Sequence, residues 1–106
     1  MARRRMMEEV PKATVVVTNP TLLAIAIRYE PLEMDSPVIV AKGKLFIAEK
    51  IKEIAFRENI PVVEDKLLAR TMFDKVEVGD EIPVEFYNAV AEILAYVYKL
   101  RNKTAA

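Results

Sequence analysis

Residues 38–63 read VIVAKGKLFIAEKIKEIAFRENIPVV, and the change of period inside this stretch decides the fold class. Val38-Ile39-Val40-Ala41 is a short apolar, mostly β-branched run, which predicts a buried strand closed by Lys42-Gly43. Over 44–58 the period becomes helical. Ile47, Ile51, Ile54 and Ala55 fall on one face, and Glu49, Lys50, Lys52, Glu53 and Arg57 on the other. The like-charged pair Glu49–Glu53 is offset by Glu49–Lys52 and Glu53–Arg57. Asn59 suits a C-cap, and Ile60-Pro61-Val62-Val63 starts a second strand. Strand, helix, strand in this order predicts parallel strands joined by a right-handed crossover.

Upstream, Thr14-Val15-Val16-Val17-Thr18 is β-branched throughout and predicts a strand buried on both faces, ended by Asn19-Pro20. Leu22 to Tyr29 fits either period, but its place after a turn and its repeated isoleucines favour a strand. Pro31 to Pro37 reads as a polar loop, with Glu30, Glu33 and Asp35 as an acidic surface. Residues 2–9 predict a short charged helix stopped by Pro11. Arg3-Arg4-Arg5 is either a solvated arm or a basic juxtamembrane segment.

Downstream, Glu64-Asp65 can cap a short helix over Lys66 to Phe73, within which Asp65 and Arg70 could pair. Val76 to Asp80 is a turn around Gly79. A long helix is predicted over 83–101, with Pro83 in its first turn and Ile82, Phe86, Val90, Ile93, Leu94, Val97 and Leu100 as its apolar stripe. Lys99, Arg101 and Lys103 suit its C-terminal end. Phe46, Phe56, Phe73 and Phe86 are core candidates, and Tyr96 and Tyr98 packing residues. The expected fold is a small α/β domain, a mixed sheet of about four strands covered by about four helices. Its divisions are an N-terminal linker and helix over 1–12, the domain over 13–101 and a flexible tail over 102–106.

Composition narrows the function. The chain has 106 residues, 53% apolar and 30% charged, which suits one folded domain. Lys+Arg and Asp+Glu both number 16, so no basic excess points to nucleic acid. Without cysteine or histidine there is no disulfide, no thiolate nucleophile, no zinc-thiolate site and no Ser-His-Asp triad. No phosphate-binding glycine loop, cofactor site or metal site is implied. No apolar run approaches the roughly 18 residues of a membrane span, and no signal peptide is visible.

One tripeptide can do chemistry of its own. Asn19-Pro20-Thr21 follows a buried strand. Proline has no N–H, so the usual attack of the next backbone nitrogen on the asparagine side chain is closed. The Asn19 amide nitrogen can instead attack its own main-chain carbonyl carbon, forming a succinimide and expelling the Pro20 nitrogen. The attack is intramolecular, so orientation can supply much of the barrier reduction. Pro20 also restricts Asn19 to extended backbone. Asn-Pro is equally a common turn opener, and on these residues alone both readings stand.

Val15-Val16-Val17-Thr18-Asn19-Pro20-Thr21 resembles the N-P-T-H autocleavage motif of the flagellar biosynthesis protein FlhB and its injectisome relatives, the type III secretion switch proteins. Further blocks are similar to that family in order. They are 4–13, Ala26-Ile27-Arg28-Tyr29, Pro37 to Gly43, Asn59 to Asp65 with Leu68-Ala69-Arg70, Val78 to Pro83, and Ala89 to Tyr98. The resemblance covers about residues 3–101 and lacks the family's transmembrane region. It therefore implies a cytoplasmic domain apart from its membrane part, or a standalone paralogue.

The resemblance implies a component of the type III export gate at the cytoplasmic face of the bacterial inner membrane, with residues 1–12 membrane-proximal. It implies one self-cleavage between Asn19 and Pro20, a single-turnover event after which the pieces stay associated. A switch from rod-hook-type to filament-type export substrates accompanies it. Implied partners are those substrates, the hook-length control protein, the export-gate protein FlhA and the protein's own transmembrane region. The fourth motif position departs from the family: Leu22 stands where histidine is expected. Asn19, the nucleophile, and Pro20, the leaving nitrogen, are present, but Leu22 cannot assist proton transfer. Cleavage is expected to be slow or absent. In the absent case the domain is a non-cleaving interaction module of the same fold, and the remaining alternative is an unrelated small ligand-binding domain.

Overall fold

The structure is a computed structural model. It describes residues 3–105, with side chains through Asn102. Met1, Ala2 and Ala106, at the ends of the expected linker and tail, lie outside the described residues. Helix α1 (Arg3–Glu9) runs into a 3-10 turn (Val10–Lys12), so Pro11 sits inside that turn. Then follow β1 (Val15–Asn19), β2 (Leu23–Arg28), β3 (Val38–Lys44), α2 (Leu45–Arg57), β4 (Val62–Glu64) and α3 (Lys66–Phe73). A second 3-10 turn (Val84–Phe86) leads into α4 (Tyr87–Ala105). The result is the expected small α/β domain with a four-stranded mixed sheet, in the order β3-β2-β1-β4.

Strand β1 is central, antiparallel to β2 and parallel to β4. Because β2 and β3 are also antiparallel, β3 and β4 run the same way at opposite edges. Helix α2 thus connects codirectional strands, as its flanking sequences predict, but β1 and β2 lie between them. β3 does not close at Lys42-Gly43. It continues to Lys44, because Lys42, Gly43 and Lys44 pair with Ile25, Ala24 and Leu23. Gly43 is required there by contact. A Cβ at this position would lie 2.2 Å from Ile47 Cγ2 and 2.7 Å from Ile47 Cβ.

Alternation along the strands sorts the core onto two faces. Val15, Val17, Ile25, Ile27 and Ile39 meet Leu68, Ala69, Met72 and Phe73 of α3 and Val90, Leu94 and Val97 of α4. Val16, Ala24, Ala26 and Ala41 meet Ala48, Ile51 and Ala55 of α2, together with Val10, Ala13 and Ile60. In an unbroken strand Ile39 and Ala41 would share a face. Here Ala26 pairs with Ala41 and Ile27 with Ile39, so Val40 is the extra residue of a β-bulge, and the two side chains go to opposite faces.

Phe46 and Phe56 are 66% and 87% exposed, so only Phe73 and Phe86 of the four phenylalanines are core. At 100° per residue, a face built on Ala48, Ile51 and Ala55 turns positions 46 and 56 away from the sheet. Helix α4 starts later than predicted, after the 3-10 turn that Pro83 precedes, and continues past 101. Leu100 ends its stripe on the exposed side, and Tyr96 is exposed too, whereas Tyr98 packs against the core. The Lys42 ammonium donates to the carbonyls of Phe73 (2.9 Å) and Val76 (2.7 Å), closing the C-terminal end of α3. Among the described residues no helix is long and apolar enough to cross a membrane.

Candidate functional site

Asn19-Pro20-Thr21-Leu22 form the connection between β1 and β2. The Leu22 N–H donates to the Asn19 carbonyl at 3.0 Å, which closes a β-turn with Pro20 in its second position, where proline's fixed φ fits. Thr21 and Leu22 are exposed, Leu22 by 43%, while Asn19 and Pro20 are half-buried. Asn19 still belongs to the ladder, opposite Leu23, so its backbone is extended as the proline demands. Among the described residues no hydrogen bond engages the Asn19 side-chain amide.

The turn is anchored from three directions. On the sheet side the Asp65 N–H donates to the Thr18 carbonyl at 2.9 Å. At the far end the Leu45 N–H donates to the Leu22 carbonyl at 2.9 Å. Leu45 holds φ +48, a left-handed conformation that is strained for a leucine by about 1–2 kcal/mol. From α2 the Lys52 ammonium donates to the Pro20 carbonyl, and the same ammonium pairs with Glu49 Oε1 at 2.8 Å.

This arrangement leaves the Asn19 carbonyl carbon bonded to the Pro20 nitrogen and its oxygen facing an N–H donor. A nucleophile attacking that carbon would place negative charge on the oxygen, where the Leu22 N–H already points. The turn also borders a cleft shared with Lys66, Leu67 and Arg70 of α3. Asp65 does not pair with Arg70. Its carboxylate Oδ1 accepts from the Leu68 N–H at 3.1 Å as the N-cap of α3, and a five-residue spacing places Arg70 off that side of the helix. Arg70 lies beside Asn19 and Leu22 instead.

A second concave site lies away from the turn. Tyr29, Pro37, Ile82, Tyr87, Leu94 and Tyr98 line a mostly apolar cavity of about 360 Å³, with Asp35 and Ser36 at its margin. The Tyr98 hydroxyl donates to the Tyr29 carbonyl at 3.5 Å, and burial pushes its acid dissociation above the ordinary tyrosine value of 10.0, against the opposing pull of Arg101. Of the acidic loop residues, Glu33 is 3.5 Å from Arg28.

The sequence places the four motif residues together, and the structure keeps them in one turn. Lys52 and Leu45 escape a sequence reading. Lys52 sits on the polar side of α2 like its neighbours, and only the tertiary fold brings it across 32 residues to Pro20.

Residues 1–97 match the family model described as the FlhB HrpN YscU SpaS Family. The chain is 57% identical over 106 residues to the flagellar biosynthetic protein FlhB of Aquifex aeolicus, covering all of this chain and 30% of that protein. It is 52% identical over 103 residues to FlhB of Bacillus subtilis, covering 97% of this chain and 29% of that protein. The chain thus spans less than a third of these relatives' length. Among solved structures, the cytoplasmic domain of FlhB from Shewanella putrefaciens superposes with a TM-score of 0.92 at 39% identity, covering 98% of this chain and 80% of that one. A mutated EscU C-terminal domain gives 0.83 at 32% identity, covering 87% and 92%.

Proposed function

The chain belongs to the FlhB HrpN YscU SpaS family, and on that premise we propose that it works as a cytoplasmic domain of a type III export component that cuts itself once between Asn19 and Pro20. The observation that carries this reading is the Leu22 N–H on the Asn19 carbonyl, with the half-buried Asn19 amide making no hydrogen bond among the described residues. The Asn19 Nδ2 forms a bond to the Asn19 carbonyl carbon, and the C–N bond to Pro20 breaks. The nitrogen loses a proton, the departing Pro20 nitrogen gains one, and a succinimide remains at Asn19 until water opens it. With Leu22 in the fourth position, water or hydroxide carries the proton, so the reaction is slow at neutral pH and faster in alkali.

Export substrates are the partner class proposed for the apolar cavity between Tyr29 and Tyr98, whose lining suits an apolar peptide segment. The hook-length control protein, FlhA and the transmembrane region of a longer protein are further proposed partners, at the cytoplasmic face of the inner membrane. A second reading rests on one residue. Leu22 has no titratable group, so the domain can act as an uncut interaction module of the same fold.

Intact mass under denaturing conditions separates the two. Fresh protein and protein held at alkaline pH are compared. Two masses summing to the chain plus one water, with a new N-terminus at Pro20 and none in Asn19→Ala, are expected. A single intact mass under every condition overturns self-cleavage in favour of the uncut module.

A further inference from the structure

We infer that Lys52 is a positioning residue for the Asn19–Pro20 bond, a role that rests on the self-cleavage reading above. Its ammonium reaches from α2 to the Pro20 carbonyl, the acceptor next to the scissile bond on the leaving side. The side chain is 23% exposed and is held in turn by Glu49 Oε1 at 2.8 Å, so it is not a freely moving surface lysine. Lys52 and Leu45 together fix both ends of the segment that follows Asn19. One holds the Pro20 carbonyl and the other the Leu22 carbonyl.

The geometry matters because the reaction needs two things of this turn at once. The Pro20 ring must stay where its nitrogen can leave from the Asn19 carbonyl carbon. The Leu22 N–H must stay on the Asn19 oxygen as charge develops there. Both depend on the plane of the Pro20–Thr21 peptide, and the Pro20 carbonyl is the handle on that plane. Thr21 is exposed, and among the described residues its hydroxyl makes no hydrogen bond that could do the same. Lys52 touches neither the nucleophile nor the scissile carbonyl, so it acts through the turn. Misplacement by an ångström in such an intramolecular attack is enough for losses of about a hundredfold.

The test uses the whole chain in two backgrounds, the sequence with Leu22 and Leu22→His, the second supplying the side chain the family motif carries. Lys52→Met and Lys52→Arg are placed in each. Cleavage is followed by denaturing mass, and protection of the residue-22 amide by hydrogen exchange in Asn19→Ala, which cannot cut. Lys52→Met is expected to slow cleavage by about tenfold or more and to speed exchange at residue 22, with amides elsewhere in β1 and β2 unchanged. Lys52→Arg, which keeps a donor of the same charge, should restore most of the rate. Cleavage of Lys52→Met at the parental rate in the Leu22→His background overturns the inference. If neither background cuts, it is the self-cleavage reading that falls. Exchange at residue 22 then still decides whether Lys52 orders the turn, and unchanged exchange overturns that as well.

Discussion

The two faces of the sheet are built from different materials. Under α3 and α4 lie Val15, Val17, Ile25, Ile27 and Ile39, and the helices answer with Met72, Phe73, Val90, Leu94 and Val97. Under α2 lie Val16, Ala24, Ala26 and Ala41, answered by Ala48 and Ala55, with Ile51 as the one large buried residue of α2. The first face is filled by large side chains and loses most when one is shortened. The second has its space taken by backbone, and loses most when something is added. That second face carries α2 and therefore Lys52, so the close seating of α2 is what brings an ammonium within reach of the Asn19–Leu22 turn.

Shortening the large face should have the biggest effect. Ile25→Ala removes buried methyl groups from the centre of the cluster and is expected to lose about 2–5 kcal/mol, read as a lower denaturation midpoint. Adding to the small face comes next. Gly43→Val is expected to lose about 3 kcal/mol, the upper end of overpacking, because its Cβ collides with Ile47. Combining it with Ile47→Ala should recover part of that loss, since the nearest clashing atom, Ile47 Cγ2, is removed while Cβ stays. A double-mutant cycle with no coupling would break the contrast between the faces.

A helix cap on the large-residue side gives a smaller change. Asp65→Ala leaves the Leu68 N–H without its acceptor and should lose about 1 kcal/mol. Smallest is a pH effect. Tyr98 has its dissociation raised in the folded state, so the unfolded chain gives up that proton first. Its contribution is complete below pH 10.0 and is lost as pH rises above that value. Denaturation midpoints measured across that range should fall less steeply in Tyr98→Phe.

Much of this contrast was written in the chain. The alternation of Ile and Ala from Ala24 to Ile27 already separates a large from a small face, and the Val15–Val17 run announces a strand buried on both. The Asp65 cap and the Asn59 and Gly79 positions of positive φ were legible for the same reason, since each depends on near neighbours alone. What was not legible depends on pairing between distant segments. The bulge at Val40 has no marker residue of its own. Phe46 and Phe56 look like core by size, and only the seating of α2 on Ala48 and Ala55 turns them outward. At the site, the motif from Asn19 to Leu22 was readable as a string, whereas the donors around it come from Lys52 and Leu45, which a string cannot bring near.

The place of β1 in the sheet has a consequence for what a cut would do. Residues 20–22 are the only covalent link between β1 and β2, and they work as a very short tether. A tether of that length holds its two ends at an effective concentration of roughly millimolar or more. Opening it turns the pairing of β1 with β2 and β4 into a second-order association. From then on the integrity of the domain depends on its own concentration. A cut domain kept at high concentration stays whole, and the same domain diluted far enough gives up its first strand.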